Sequence, residues 1–277
     1  MNPFDLSIDE LAELFRRLEI PTSDPGFCDH PSFLELERQN PELLNLYAAF
    51  VARSRYSPEY LERAEVKIRR AAQALHRELL AHGRLGACVD ISGILSRILD
   101  REGIWNTCVK GSLTISFPPE SGIGPRYFWS CDRGEFVAGH AWLLAPPFTV
   151  VDISARQQPY EGLESNYIPE YVLSNDSEPT HVEVEDIISP EVRLAMVQQG
   201  IPPDRHLEFG ARYVPGIFAA IPPIMVPGMD GSSLKYSPVA INAPDCPLEE
   251  MRNMDFGGMT PWELYDTKIR AEVAGDA

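Results

Sequence analysis

Basic residues are in short supply: 24 Lys and Arg stand against 41 Asp and Glu, a formal net charge of −17 over 277 residues. A duplex-binding protein needs a basic stripe to displace counterions from phosphates, and none is present, so no nucleic-acid partner is expected. The acidity reads as general solubility. Long apolar runs are also missing. No stretch could span a bilayer, and Met1-Asn2-Pro3-Phe4-Asp5 lacks the basic region and apolar core of a secretory leader, so no membrane partner is expected. Cysteine is sparse. The five (Cys28, Cys88, Cys108, Cys131 and Cys246) are odd in number, scattered, and contain no CxxC pair. That argues against a disulfide framework and against a zinc site, and a reducing, cytoplasmic setting is the simplest expectation. The Cys28-x-His30 spacing has no second pair to complete a metal site. No acidic cluster has calcium-loop spacing, and no basic or Gly-rich segment offers a coenzyme phosphate a cradle. Cofactor and metal are therefore expected to be none.

What is present fits a globular chain, 44% hydrophobic and 23% charged. The first third has helical periodicity. Ser7 and Glu10 have capping-box spacing ahead of Leu11, Leu14, Phe15 and Leu18. A second segment starts near Ser32, Pro41 looks like the first residue of another helix, and Ser57-Pro58 opens a long one ending near Gly83. His76 and His82 read as surface or capping residues on that helix.

The stretch Gly86-Ala87-Cys88-Val89-Asp90-Ile91 starts the most regular helix. Ile91, Ile94, Leu95, Ile98 and Leu99 form one apolar stripe, and Gly103 is a natural stop. Cys88 sits in its first turn, three and four residues before Ile91 and Ser92, on the inward side. Strand patterns follow: Thr107 to Phe117, interrupted at Gly111; Tyr127 to Trp129; and Phe136 to Leu144, with Phe136, Ala138, His140, Trp142 and Leu144 on one face. Ala145-Pro146-Pro147 is a turn, and Phe148 to Ile153 returns. A hairpin symmetric about Pro146 would set Leu144 opposite Phe148, Trp142 opposite Val150, and His140 opposite Asp152, within reach of an imidazole–carboxylate hydrogen bond. Further on, Pro169 to Leu173 reads as a short helix, His181 to Glu185 as a strand and Pro190 to Gln199 as a helix. Tyr213 to Pro247 reads as proline-rich extended chain over a surface, or a docking region. Thr260-Pro261-x-Glu263 starts a last helix.

A cysteine acts as a nucleophile in its thiolate form, which a helix N-terminus and a neighbouring imidazolium both favour. Asp90 in the same turn works against it. In this scheme His140 is the base and then the acid, and Asp152 orients the ring and stabilises its charge. The Cys88 N–H is the natural oxyanion donor, with a second donor not identifiable. Each residue alone has a plainer explanation as core, strand or turn residue. Gly139 beside His140 favours the site, since it leaves room for the helix to approach. Gln157 and Gln158 could line the cleft.

The run Gly86 to Gly111, including Arg101-Glu102-Gly103-Ile104 and Val109-Lys110-Gly111, resembles the transglutaminase-like superfamily. So do Gly139-His140-Ala141-Trp142 and Val150-Val151-Asp152-Ile153-Ser154. The resemblance spans residues 86–154, about a quarter of the chain. It implies an α+β, papain-like fold, with a helical lobe packed on an antiparallel sheet and a C-terminal extension. It also implies that Cys88, His140 and Asp152 are the catalytic positions. The expected division is an N-terminal helical region (1–83), a core (84–160) and a C-terminal extension (161–277) that carries a substrate or partner surface. The expected function is cysteine-dependent acyl transfer, with hydrolysis of an amide bond by a peptidase or deamidase favoured. The substrate would be a protein, a peptide or a small amide. The alternatives are a catalytically silent binding module that uses the Pro-rich C-terminal part for a protein partner, and an amine acyltransferase or crosslinking transglutaminase.

Overall fold

Side-chain caps set several of the helix starts in the computed structural model, which describes residues 6–133, 135–136, 139–175, 178–210, 217–244 and 246–275. Ser7 and Glu10 form a reciprocal capping box at α1 (Ile8–Arg17), and His30 caps α2 (Pro31–Glu37) by accepting from the Ser32 N–H. The Cys28-x-His30 pair is thus divided, the thiol buried and the imidazole capping a helix. The next helix, α3 (Leu43–Arg53), begins two residues later than Pro41 suggests. Ser57 caps α4 (Pro58–His82), and α5 (Cys88–Arg101) follows.

The strands are β1 (Thr107–Ser116), β2 (Arg126–Phe128), β3 (Cys131–Asp132), β4 (Glu135–Phe136), β5 (His140–Ala145), β6 (Phe148–Asp152), β7 (Val172–Ser174) and β8 (Glu178–Pro179). Short helices α6 (Val184–Ile187), α7 (Pro190–Gln198), α8 (His206–Gly210) and α9 (Ile217–Ala220) precede β9 (Ile224–Pro227) and β10 (Ser233–Asn242). The chain closes with α10 (Pro261–Leu264), a π turn (Tyr265–Ile269) and α11 (Arg270–Ala274). The class is α+β. The main sheet runs β7-β6-β5-β1-β10-β9-β8, with β2 also on β1, and its pairings are antiparallel.

Alternation along the strands divides the core. Val109, Trp142, Leu144, Val150 and Tyr236 face a cluster built with α1 to α3. Cys108, Leu143, Ala145 and Val151 face a second cluster with α4, α5 and the C-terminal helices. Helices therefore cover both faces of the sheet, not one.

Several expectations are corrected. The region read as a surface extension supplies β10, which lies between β1 and β9 inside the sheet. This strand contains Pro238, although proline cannot donate to a ladder. The structure accommodates it at a bulge, where Lys110 pairs with Ala240 and Gly111 with Pro238. A Cβ on Gly111 would fall 2.1 Å from the Ser237 carbonyl oxygen. Residues 172–174 are strand rather than helix, and 184–187 are helix rather than strand. Phe136 belongs to β4, which pairs with β3 apart from the main sheet, and Ala138 lies outside the described residues.

Candidate active site

The β1 edge is shared by two strands. Thr107 to Gly111 pair with β5, and Leu113 to Ile115 pair with β2. His140 therefore starts β5 opposite Gly111, at the junction where β2 has just ended. Gly139 serves this junction: a Cβ there would lie 2.3 Å from the Phe128 carbonyl oxygen and 2.5 Å from that of Trp129. The expectation that Gly139 clears space for the helix is corrected, since the backbone it admits is that of 128–129.

The hairpin is not symmetric about Pro146. Ala145 pairs with Phe148 across a Pro146–Pro147 turn, and after an irregularity Leu143 pairs with Val151. Relative to the expected register the pairing is displaced by one residue at the turn, where Phe148 faces Ala145 instead of Leu144, and by two residues at Val151, which leaves His140 and Asp152 on one face. Continuing that register, Asp152 stands across from Trp142 and diagonally from His140, a separation long side chains bridge. The predicted contact forms by this diagonal: His140 Nε2 and Asp152 Oδ2 are 2.6 Å apart, and both residues are fully buried.

Asp152 is saturated with donors. Its Oδ2 also accepts from the Tyr236 hydroxyl at 3.0 Å, while Oδ1 accepts from the Ser154 N–H at 2.9 Å and the Ser154 hydroxyl at 3.0 Å. Burial favours the neutral acid, yet His140, Ser154 and Tyr236 together hold the carboxyl below its usual range. On His140, burial opposes the charged ring but is outweighed by the Asp152 carboxylate, with a contribution from Cys88, and the pKa rises to about 10. Burial and the same carboxylate push Tyr236 well above its ordinary range, so it stays a neutral donor. Trp142 stacks beside the imidazole, with ring centroids 6.4 Å apart and planes at 20°.

Cys88 is the first residue of α5 and is 5% exposed. α5 packs along β5, and the Ser92 hydroxyl one turn on donates to the carbonyl of Ala141, the residue after His140. With Nε2 given to Asp152, Nδ1 is the ring nitrogen left for the thiol. It is buried and makes no hydrogen bond among the described residues, and Cys88 is near enough to contribute to the raised pKa of the ring. No side chain caps the α5 N-terminus at Ala87, which leaves its first turn open to a developing anion. The Asp90 carboxylate is ion-paired with Arg84 and accepts from Asn253, which offsets its repulsion of a charged thiol.

The sequence reading missed three supports. Tyr236 lies in the segment taken for surface chain, although Leu234 and Tyr236 alternating with Lys235 carry a strand pattern. Ser154 follows Asp152 by two residues, the spacing of an Asx turn. His76, read as a surface or capping residue, is buried and donates from Nδ1 to the Ile153 carbonyl at 2.9 Å, bracing the end of β6. Gln157 and Gln158 act through this loop: the Gln157 carbonyl accepts the Gly86 N–H, and the Gln158 amide donates to the Ser154 carbonyl, each at 2.9 Å. Among the described residues no group of His, Cys, Asp and Glu could hold a metal ion. Searches against family models, curated proteins and solved structures return no match for this chain.

Proposed function

We propose that the protein is a cysteine-dependent acyl-transfer enzyme that hydrolyses an amide bond, with Cys88 as nucleophile, His140 as base and acid, and Asp152 as the group that orients the ring. The observation that carries this reading is the buried His140–Asp152 pair beside a cysteine that opens a helix. A buried imidazole held by a carboxylate with four donors, its other nitrogen unused, is poised to exchange a proton with a neighbour.

In the proposed cycle the protonated His140 ring holds the Cys88 sulfur as a thiolate, and Sγ attacks the amide carbonyl carbon. The carbonyl oxygen takes up the negative charge beside the open N-terminus of α5. Collapse breaks the C–N bond, and Nδ1 returns its proton to the departing amine, leaving a thioester on Cys88. Water then loses a proton to Nδ1 and attacks the thioester. The carboxylic acid departs, and Sγ is released as the thiolate beside the charged ring. Asp152 remains ionised throughout. A papain-like relation of helix to sheet, as the transglutaminase-like resemblance implies, is part of the same proposal.

The test uses the full chain with a proteome-derived peptide pool in H₂¹⁸O, together with a tagged primary amine. Hydrolysis places ¹⁸O in new carboxyl groups, whereas transfer places the amine. Both signals are expected to vanish in Cys88→Ala. Absence of any Cys88-dependent ¹⁸O or amine incorporation would overturn the proposal.

A further inference from the structure

A cavity of about 290 Å³ opens one residue beyond Cys88, against Val89, Asp90 and Gly93 of α5. Its other walls include Lys110 of β1, Asn242 at the end of β10, and Arg252. The volume is at the lower end for ligand sites, which suits one side-chain-sized group.

The charges around this space are unequal. Asp90 is already committed, ion-paired with Arg84 and accepting from the Asn253 amide at 3.1 Å. Arg252 uses Nη1 on the carbonyls of Glu249 and Met251, at 2.8 and 2.7 Å, and pairs with no carboxylate among the described residues. Lys110 is half-buried, and its ammonium has no hydrogen bond or ion pair among the described residues; the Asn242 amide is likewise unused. An ammonium with no ion-paired carboxylate is a natural partner for an incoming anion, and in a chain of net charge −17 it stands apart.

We propose that this cavity is a substrate subsite for a carboxylate, bound by the Lys110 ammonium and the Asn242 amide. The inference rests on the acyl-transfer reading and narrows it. The amide attacked by Cys88 would be flanked by an acidic group, either an Asp or Glu side chain or a free C-terminal carboxylate.

Calorimetry on the full chain separates the two sources, using N-acetylglutamate α-amide for a side-chain carboxylate and N-acetylglycylglycine for a terminal one. N-acetylglutamine α-amide is the neutral isostere. At least one carboxylate is expected to bind about tenfold tighter than the isostere, the scale of one hydrogen bond to a charged group. The same compound should slow iodoacetamide modification of Cys88. Lys110→Met should remove the tenfold preference and the protection, and Lys110→Arg should retain both, each measured against that variant's own unprotected rate. Carboxylates that bind no tighter than the isostere, or a preference that survives Lys110→Met, would overturn the subsite. Failure of the acyl-transfer reading shows separately, as a Cys88 modification rate indifferent to His140→Ala, while the calorimetry still reports on Lys110.

Discussion

Tyr236→Phe removes one hydroxyl from a fully buried ring and leaves its packing against Trp142, 5.1 Å between centroids, in place. What is lost is the 3.0 Å hydrogen bond to Asp152 Oδ2, the oxygen that also faces His140. Hydrogen bonds to charged groups contribute about 1.5–3 kcal/mol, and no cavity term is added, so a loss of about 2 kcal/mol is expected. Urea unfolding at pH 7, followed by tryptophan fluorescence, measures it. The cost should depend on the partner's charge: in an Asp152→Ala background Tyr236→Phe should be nearly free, giving a coupling of about 1–2 kcal/mol. The pH dependence has a fixed sign. Asp152 is held below its ordinary range, so its contribution is present above the unfolded pKa of about 3.9 and is lost as pH falls through the lower folded value. The Tyr236→Phe penalty should therefore be level near neutrality and shrink in acid. A penalty below about 0.5 kcal/mol, or an equal one in the Asp152→Ala background, would refute the assignment of this hydroxyl to the carboxylate.

Three other outcomes follow from the same geometry. The His140 ring, raised to about 10, contributes stability that is fully present below its unfolded pKa of about 6.5 and lost as pH rises through about 10. Its NMR resonances should titrate near the upper value in the native protein and lower in Asp152→Asn. Gly139→Ala would force a Cβ within 2.3 Å of the Phe128 carbonyl oxygen and should lower thermal stability by several kcal/mol, whereas Gly124→Ala, with nothing within 4 Å, should be nearly neutral in the same melt. Burial lifts the Cys108 thiol to about 12 and Cys28 higher still, so peptide mapping after brief alkylation at pH 7 should find both unmodified.

The local signals in the sequence were strong where one element decides the outcome. Ser7–Glu10 and Thr260–Glu263 form capping boxes, and the Ile91–Leu99 stripe is the buried face of α5. His140 and Asp152 were identifiable because alternation puts them on one face, and a two-residue change of register does not alter the face. Their partner Tyr236 was hidden because it is 84 residues from Asp152 in sequence and follows a long loop-rich segment. The proline-rich composition of 213–247 made that strand look peripheral, and the bulge opposite Gly111 is where the central strand takes in Pro238. The roles of Gly139 and His76 were misread for a similar reason. Each is defined by backbone from another element, the 128–129 carbonyls and the Ile153 carbonyl, which no local pattern encodes.

The central claim is that Cys88 reacts through His140. The rate of iodoacetamide alkylation at Cys88, measured by peptide mass spectrometry across pH in the native chain and in His140→Ala, tests it most directly. The account predicts that Cys88 is the fastest cysteine at pH 7, and that its rate falls about tenfold or more when the imidazole is removed. A slow rate that follows pH identically in both proteins would contradict it.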